Sequence, residues 1–232
     1  MAPGERASGI ISVAARWIND GRRLDLQALA DELGVSRATV FRHVGGREDL
    51  LGKALALLTH HMLNAAAARA DIRRANGELH SVEFGRQMND IVIHASGLRT
   101  LLDNEPGPAL RALTDPLGPV QPKVVVFVEK LLRQDIAETG LTSIIEPNAL
   151  AYALVRMGES FLYADVLANR EPDLDTANHL QQALLRGTLN WQPADPRPQP
   201  PPSARQSPGP RATSGEAVDP LVRERSAPRR AP

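Results

Sequence analysis

The stretch "LDLQALADELGVSRATVFRHVGGREDLL", Leu24 to Leu51, leaves few ways to fold. Leu26, Leu29, Ala30 and Leu33 repeat at helical spacing, and Asp25 stands just before them, where an N-cap belongs. Gly34 can take the positive φ of a tight turn, and Ser36 can cap the helix that follows. That helix, "RATVFRHV" from Arg37 to Val44, is short. Val40 and Val44 lie four apart and predict one buried edge. Ala30 is small and lets the helices cross closely. Arg37, Ala38, Thr39, Arg42 and His43 remain on the outer side, with Phe41 at its margin. One buried edge and one polar edge is what a DNA-recognition helix requires. Arg37 and Arg42 can donate to guanine O6/N7 or to phosphate, Thr39 can meet a phosphate or a thymine methyl, and His43 can donate to a phosphate. Gly45 and Gly46 permit a sharp turn. Arg47 then falls at the N-terminus of a fourth helix, where an anion is already favoured. A phosphate contact is expected of it.

Helical periodicity extends in both directions. Ile10, Ile11, Ala14, Trp17 and Ile18 form a stripe that Gly21 ends as a C-cap. A helix from Glu48 meets no breaker before Gly77, a length suited to joining two parts of a molecule. Phe84, Met88, Ile91, Val92 and Ala95 make another stripe, and a shorter helix covers Leu98 to Leu102. Residues 104–122 hold five prolines and predict short helices or loops. "VVVFVEKLLRQDIAET", Val124 to Thr139, opens like a strand by composition. Its apolar residues nevertheless keep a helical period, and it is read as a helix. Two more helices are expected, Pro147 to Asn169 and Leu174 to Leu189, the latter capped by Asp173 or Asp175. The fold class is therefore all-α. The predicted domains are a helix-turn-helix head over residues 1–52, a helical ligand-binding and dimerisation bundle over 53–191, and a tail over 192–232. Eleven of the nineteen prolines lie in that tail, which reads as disordered because it has too little apolar surface to offset its ordering entropy.

Composition excludes more than it assigns. The chain has no net charge, so no global field points to nucleic acid or membrane. By segment, residues 1–53 carry +1, residues 54–192 carry −4 and the remainder carries +3. Charge alone does not mark the head as DNA-binding. The absence of cysteine rules out disulfides, thiolate metal sites and Cys nucleophiles. No signal-peptide pattern opens the sequence and no apolar run spans a bilayer, which predicts a soluble cytoplasmic protein.

The motif from Leu24 to Leu51, with the helix before it, resembles the TetR-type transcriptional regulators in residue type and spacing. Three positions depart from the family pattern: Phe41 replaces a usual Tyr, Val44 a usual Phe and Arg47 a usual Lys. Phe41 lacks the hydroxyl commonly aimed at a phosphate. The resemblance implies a three-helix head, helix four as connector, a C-terminal ligand-binding core and a homodimer joined through the last two helices. "GESFLYADVLANREPDLDTA", Gly158 to Ala177, resembles the ligand domain of the subgroup named for quorum-signal degradation regulators.

The remaining constellations are weaker. His60 and His61 are adjacent, point to different helix faces and cannot chelate one metal; no metal or cofactor is expected. An inducer pocket should be mostly apolar with a few polar groups. Its candidate residues are Phe84, Met88, Ile91, Phe127, Tyr152, Arg156, Glu159 and Tyr163. Arg156 and Glu159, at i and i+3, read first as a structural ion pair, partly buried or at a dimer seam, and second as part of the pocket. The apolar stripe of the last helix, Ala177, Leu180, Ala183, Leu184 and Leu189, suits a helix–helix interface within or between subunits. No nucleophile–base pair or carboxylate cluster stands out, so no enzyme is expected. The expected function is a dimeric repressor that binds a palindromic DNA operator and is released by a small apolar or amphipathic ligand. An activator, or a scaffold whose head binds protein, is the alternative.

Overall fold

Every described element of the computed structural model, which describes residues 3–190, is a helix. In chain order these are α1 (Pro3–Asn19), α2 (Leu26–Glu32), α3 (Arg37–Val44), α4 (Arg47–Arg73), α5 (His80–Ile93), α6 (Ser96–Asn104), α7 (Pro106–Thr114), α8 (Gln121–Thr139), α9 (Pro147–Leu162), α10 (Ala164–Ala168) and α11 (Leu174–Leu189). The proline-rich tail falls outside the described residues.

Local chemistry sets most of the boundaries. Asp25 accepts the Ala28 N–H at 2.8 Å and starts α2. α2 ends in a Schellman turn: Gly34, at φ +65, donates to Asp31 at 3.2 Å and Val35 to Ala30 at 3.0 Å. Ser36 then accepts the Thr39 N–H at 3.1 Å and starts α3. Asp173, rather than Asp175, caps α11, accepting from Thr176 at 2.9 Å. The segment Val124 to Thr139 is helical, and Pro106 opens α7 within the proline-rich stretch.

Two boundaries differ from the sequence expectation. α4 stops at Arg73, where Arg74 turns to φ −57 and ψ 121, ahead of Gly77. The helix expected over 147–169 is broken at Tyr163, giving α9 and α10. No glycine or proline marks that break; Tyr163 turns inward and is buried there, while Asp165 of α10 pairs with Arg99 of α6.

Two apolar clusters hold the described residues together. The first joins Ala14, Trp17 and Ile18 of α1 to Leu29 and Ala30 of α2, Val40 and Val44 of α3 and Leu50 of α4, and continues into α6 and α7. Each fully buried aliphatic side chain contributes roughly 1.5–3 kcal/mol. The second cluster lies around the far half of α4, with Leu79, Phe84, Leu132, Leu150 and Leu185 among its members. α4 runs through both, which is why one 27-residue helix joins head and bundle. The junction is further tied by α6. An atom added as Cβ on Gly97 would sit 2.2 Å from the Ile18 carbonyl oxygen and 2.3 Å from that of Asn19. The N-terminus of α6 is thus seated on the C-terminal carbonyls of α1, an arrangement both helix dipoles favour.

Candidate functional site

The outer face of α3 follows from its capping and its two valines. Val40 and Val44 are fully buried, which turns Arg37, Ala38, Phe41 and Arg42 to the exterior. Phe41 is 61% exposed, an unusual state for a phenyl ring, and it stands beside Arg42 on that face. Thr39 and His43 are half-buried at its borders, and the Thr39 hydroxyl is shared with Ser36 at 2.9 Å. The last turn of α3 is closed by Lys53, whose Nζ donates to the Val44 carbonyl at 2.8 Å. Below α2, the Asp25 carboxyl is held below its usual range, chiefly by the Ala28 N–H and also by Arg37 and Arg23.

The turn into α4 uses Gly45 at φ +84, and a side chain there would collide with Asp49, whose carboxylate accepts the Gly46 N–H at 2.9 Å. Arg47 is positioned by this turn, but its guanidinium points into the chain. Its Nε donates to the Leu24 carbonyl at 2.8 Å and one terminal nitrogen reaches both Glu105 oxygens at 2.6 Å. Glu105 also faces Arg23 at 3.5 Å. The structure therefore places Arg47 between the head and the α6–α7 junction, separate from the α3 face. Glu105 lies 58 residues from Arg47, so no local pattern announces the pair.

A cavity of about 100 Å³ lies within the bundle. Of the residues expected at a pocket, Phe84, Met88, Glu159 and Tyr163 line it. The others do not. Ile91 borders a separate surface depression beside α1 and α4, and Phe127 stacks behind Phe84 at 5.3 Å between ring centres. Tyr152 is 45% exposed, because α9 buries Leu150, Ala151 and Leu154 instead. Arg156 stands outside the lining but donates to Glu159 at 2.8 Å, so the ion pair read from the i, i+3 spacing is present. Sequence reasoning missed Ser81, Asn89 and Gln181 in the wall, and also Leu98 and Leu113. Polar residues scattered over two helices, α5 and α11, carry no periodic signal; Leu98 and Leu113 sit on apolar stripes indistinguishable from core.

The polar end of the cavity is built around Glu159. The buried Gln121 amide donates to both of its oxygens at 2.9 and 3.0 Å. Burial pushes the Glu159 carboxyl above its ordinary range, against the pull of Gln121 and Arg156. Burial, with the Glu159 charge nearby, likewise pushes the Tyr163 hydroxyl upward, while Arg99 opposes it. α6 connects this cavity to the head: Leu98 lines the cavity, Gly97 abuts α1, and Glu105 beyond its end holds Arg47.

Comparison with known proteins agrees with this architecture. Residues 76–186 match the family described as tetracyclin repressor-like, C-terminal domain. No curated protein matches the chain. The transcriptional repressor QsdR of R. erythropolis, from the TetR family, is 29% identical over 79% of this chain and 94% of its own, with a TM-score of 0.68. The multidrug binding protein EbrR, in complex with imidazole, is 20% identical over 78% of this chain and 89% of its own, with a TM-score of 0.50. A putative transcriptional regulator of Pseudomonas aeruginosa PAO1 is 15% identical over 81% and 91%, also with a TM-score of 0.50. These two share the fold alone. Among the described residues no helix is long and apolar enough to cross a membrane. By its matched C-terminal domain, its helix-turn-helix head and its all-helical fold, the chain is similar to the TetR-family regulators.

Proposed function

We propose that this chain is a ligand-responsive transcriptional regulator that binds a palindromic DNA operator as a homodimer. The observation that carries the reading is the α3 face. Two fully buried valines turn Arg37, Ala38, Phe41 and Arg42 outward, with Thr39 and His43 at the borders. Two such helices in successive major grooves lie about 34–36 Å apart, and a two-fold protein calls for a two-fold site. Phe41 lacks the hydroxyl for a phosphate contact but offers an apolar surface that a thymine methyl fits. The repressing sign follows the similarity to R. erythropolis QsdR, described as a transcriptional repressor. An activator remains the second reading of the same site.

Regulation runs through α6 in this proposal. A ligand in the cavity displaces Leu98, and α6 carries the movement to α1 through Gly97 and to α4 through Glu105 and Arg47. The ligand weakens operator binding to the extent that it favours a head spacing unfit for DNA.

Retention of genomic DNA fragments by the purified chain tests the function and yields the operator. Arg42→Ala is expected to cost about 1–3 kcal/mol of operator affinity, with a smaller loss on random DNA. Equal losses on both would assign Arg42 to phosphate alone. Arg47→Ala separates two roles. A tether predicts a lower melting temperature and an unchanged dependence of DNA affinity on salt. A phosphate contact predicts a salt slope shallower by about one unit.

A further inference from the structure

The cavity's wall selects its ligand by charge. Among the described residues that line it, none is Lys, Arg or His, and the ionisable ones are Glu159 and Tyr163. Most of the remaining wall is apolar, including Phe84, Met88, Val124, Leu154 and Leu162. An anion placed here would lose its hydration, meet no cation in the wall and face the Glu159 carboxylate. Each of these disfavours it. A hydrogen-bond donor meets the opposite situation. Gln121 and Arg156 approach the Glu159 carboxylate, and a carboxylate has about four lone-pair sites. Capacity therefore remains for a further donor from the cavity side. Because Arg156 already offsets the charge, a neutral donor satisfies the site as well as a cationic one. Ser81 adds a second polar point: it lines the cavity, is 2% exposed, and its hydroxyl has no hydrogen-bond partner.

The size is restrictive too. An engineered apolar cavity somewhat larger than this one accepts benzene, so the present volume suits about one small ring, and a short substituent needs the wall to yield. Met62 and Met88 in the wall can yield further room, since thioether side chains repack easily.

We infer that the effector is a compact apolar molecule with a terminal hydrogen-bond donor, an alcohol or an amine, that docks on Glu159, and that carboxylates of the same skeleton are refused. The inference rests on the reading of this cavity as the effector site of a regulator.

Calorimetric titration of the whole chain with toluene, benzyl alcohol, benzylamine and benzoate tests it, four probes that differ at one terminal group. Benzyl alcohol and benzylamine are expected to bind about tenfold more tightly than toluene, the scale of one hydrogen bond to a charged acceptor. Benzoate should not bind measurably. Glu159→Gln keeps an acceptor oxygen but loses the charge, so it should shrink the advantage of benzyl alcohol and benzylamine over toluene and leave toluene unchanged, which shows that the cavity itself is intact. A larger loss for benzylamine than for benzyl alcohol assigns the natural donor to the amines, and equal losses assign it to the alcohols. Benzoate binding as tightly as benzyl alcohol, Glu159→Gln leaving the selectivity unaltered, or no probe binding at all would each overturn the inference. Retention of genomic DNA fragments by the same preparation keeps the two readings apart. Retention with failed selectivity removes the ligand class alone, whereas loss of retention removes the regulator reading whatever the probes do.

Discussion

Asp135→Ala is expected to lower folding stability by on the order of 3 kcal/mol, read as a shifted denaturation midpoint with an unchanged slope. α5 begins at His80 after Leu79, a residue with no side-chain group to cap it. The cap comes from α8 instead. The Asp135 carboxylate, 1% exposed, accepts the backbone N–H of His80 at 2.8 Å and of Ser81 at 2.9 Å. Alanine leaves two buried donors unpaired, each costing about 1–3 kcal/mol. The carboxylate's own burial is offset in the native chain by those donors and by the α5 dipole, so removing it returns only part of that cost. Asp135→Asn should fall between, because one amide oxygen can serve one N–H while the amide nitrogen faces the other. Ser81 and Phe84 follow this cap and line the cavity, so the alanine variant should also bind any cavity ligand more weakly. A midpoint within about 0.5 kcal/mol of the parent's would reject the remote cap.

Gly97→Ala is the second large effect. In a helix interior the change ordinarily stabilises by about 1 kcal/mol. Here the added Cβ would meet the carbonyl oxygens of Ile18 and Asn19 at 2.2 and 2.3 Å. Those atoms belong to backbone and cannot rotate aside as a flexible side chain would. Overpacking of this kind costs about 1–3 kcal/mol and is relieved by moving helices. We expect a net loss of stability of that order and a displacement of α6 from α1. Operator affinity should change as well, since α1 packs directly on α2 and α3 through the head core. A more stable variant with unchanged DNA binding would show that α6 does not bear on the head.

Some parts of this molecule are written within five residues of where they act. Asp25, Ser36 and Asp173 cap helices that begin at the next residue. Gly34 closes a turn whose two bonds reach back three and five residues. Val40 and Val44 choose the buried edge of α3 by spacing alone. Such features depend on backbone geometry that any copy of the segment would adopt, which is why the three helices of the head and the outward face of α3 could be read before any fold was known. The i, i+3 pair of Arg156 and Glu159 belongs to the same class.

Other features depend on what the folded chain brings near. Glu105 claims the Arg47 guanidinium across 58 residues, and Asp135 caps α5 across 54 and 55. The break at Tyr163 carries no glycine or proline; inward burial of the ring and the Arg99–Asp165 pair accompany it. The cavity is assembled from side chains of α4, α5, α6, α7, α8, α9 and α11, so Phe127 and Ile91 could satisfy every apolar pattern and still lie outside it. Capping and amphipathic spacing are short-range and repeat with the helix, and they determined the helices and the α3 face from sequence alone. A charge's partner and a cavity's wall are fixed by contacts between distant segments, and only the tertiary structure decided them.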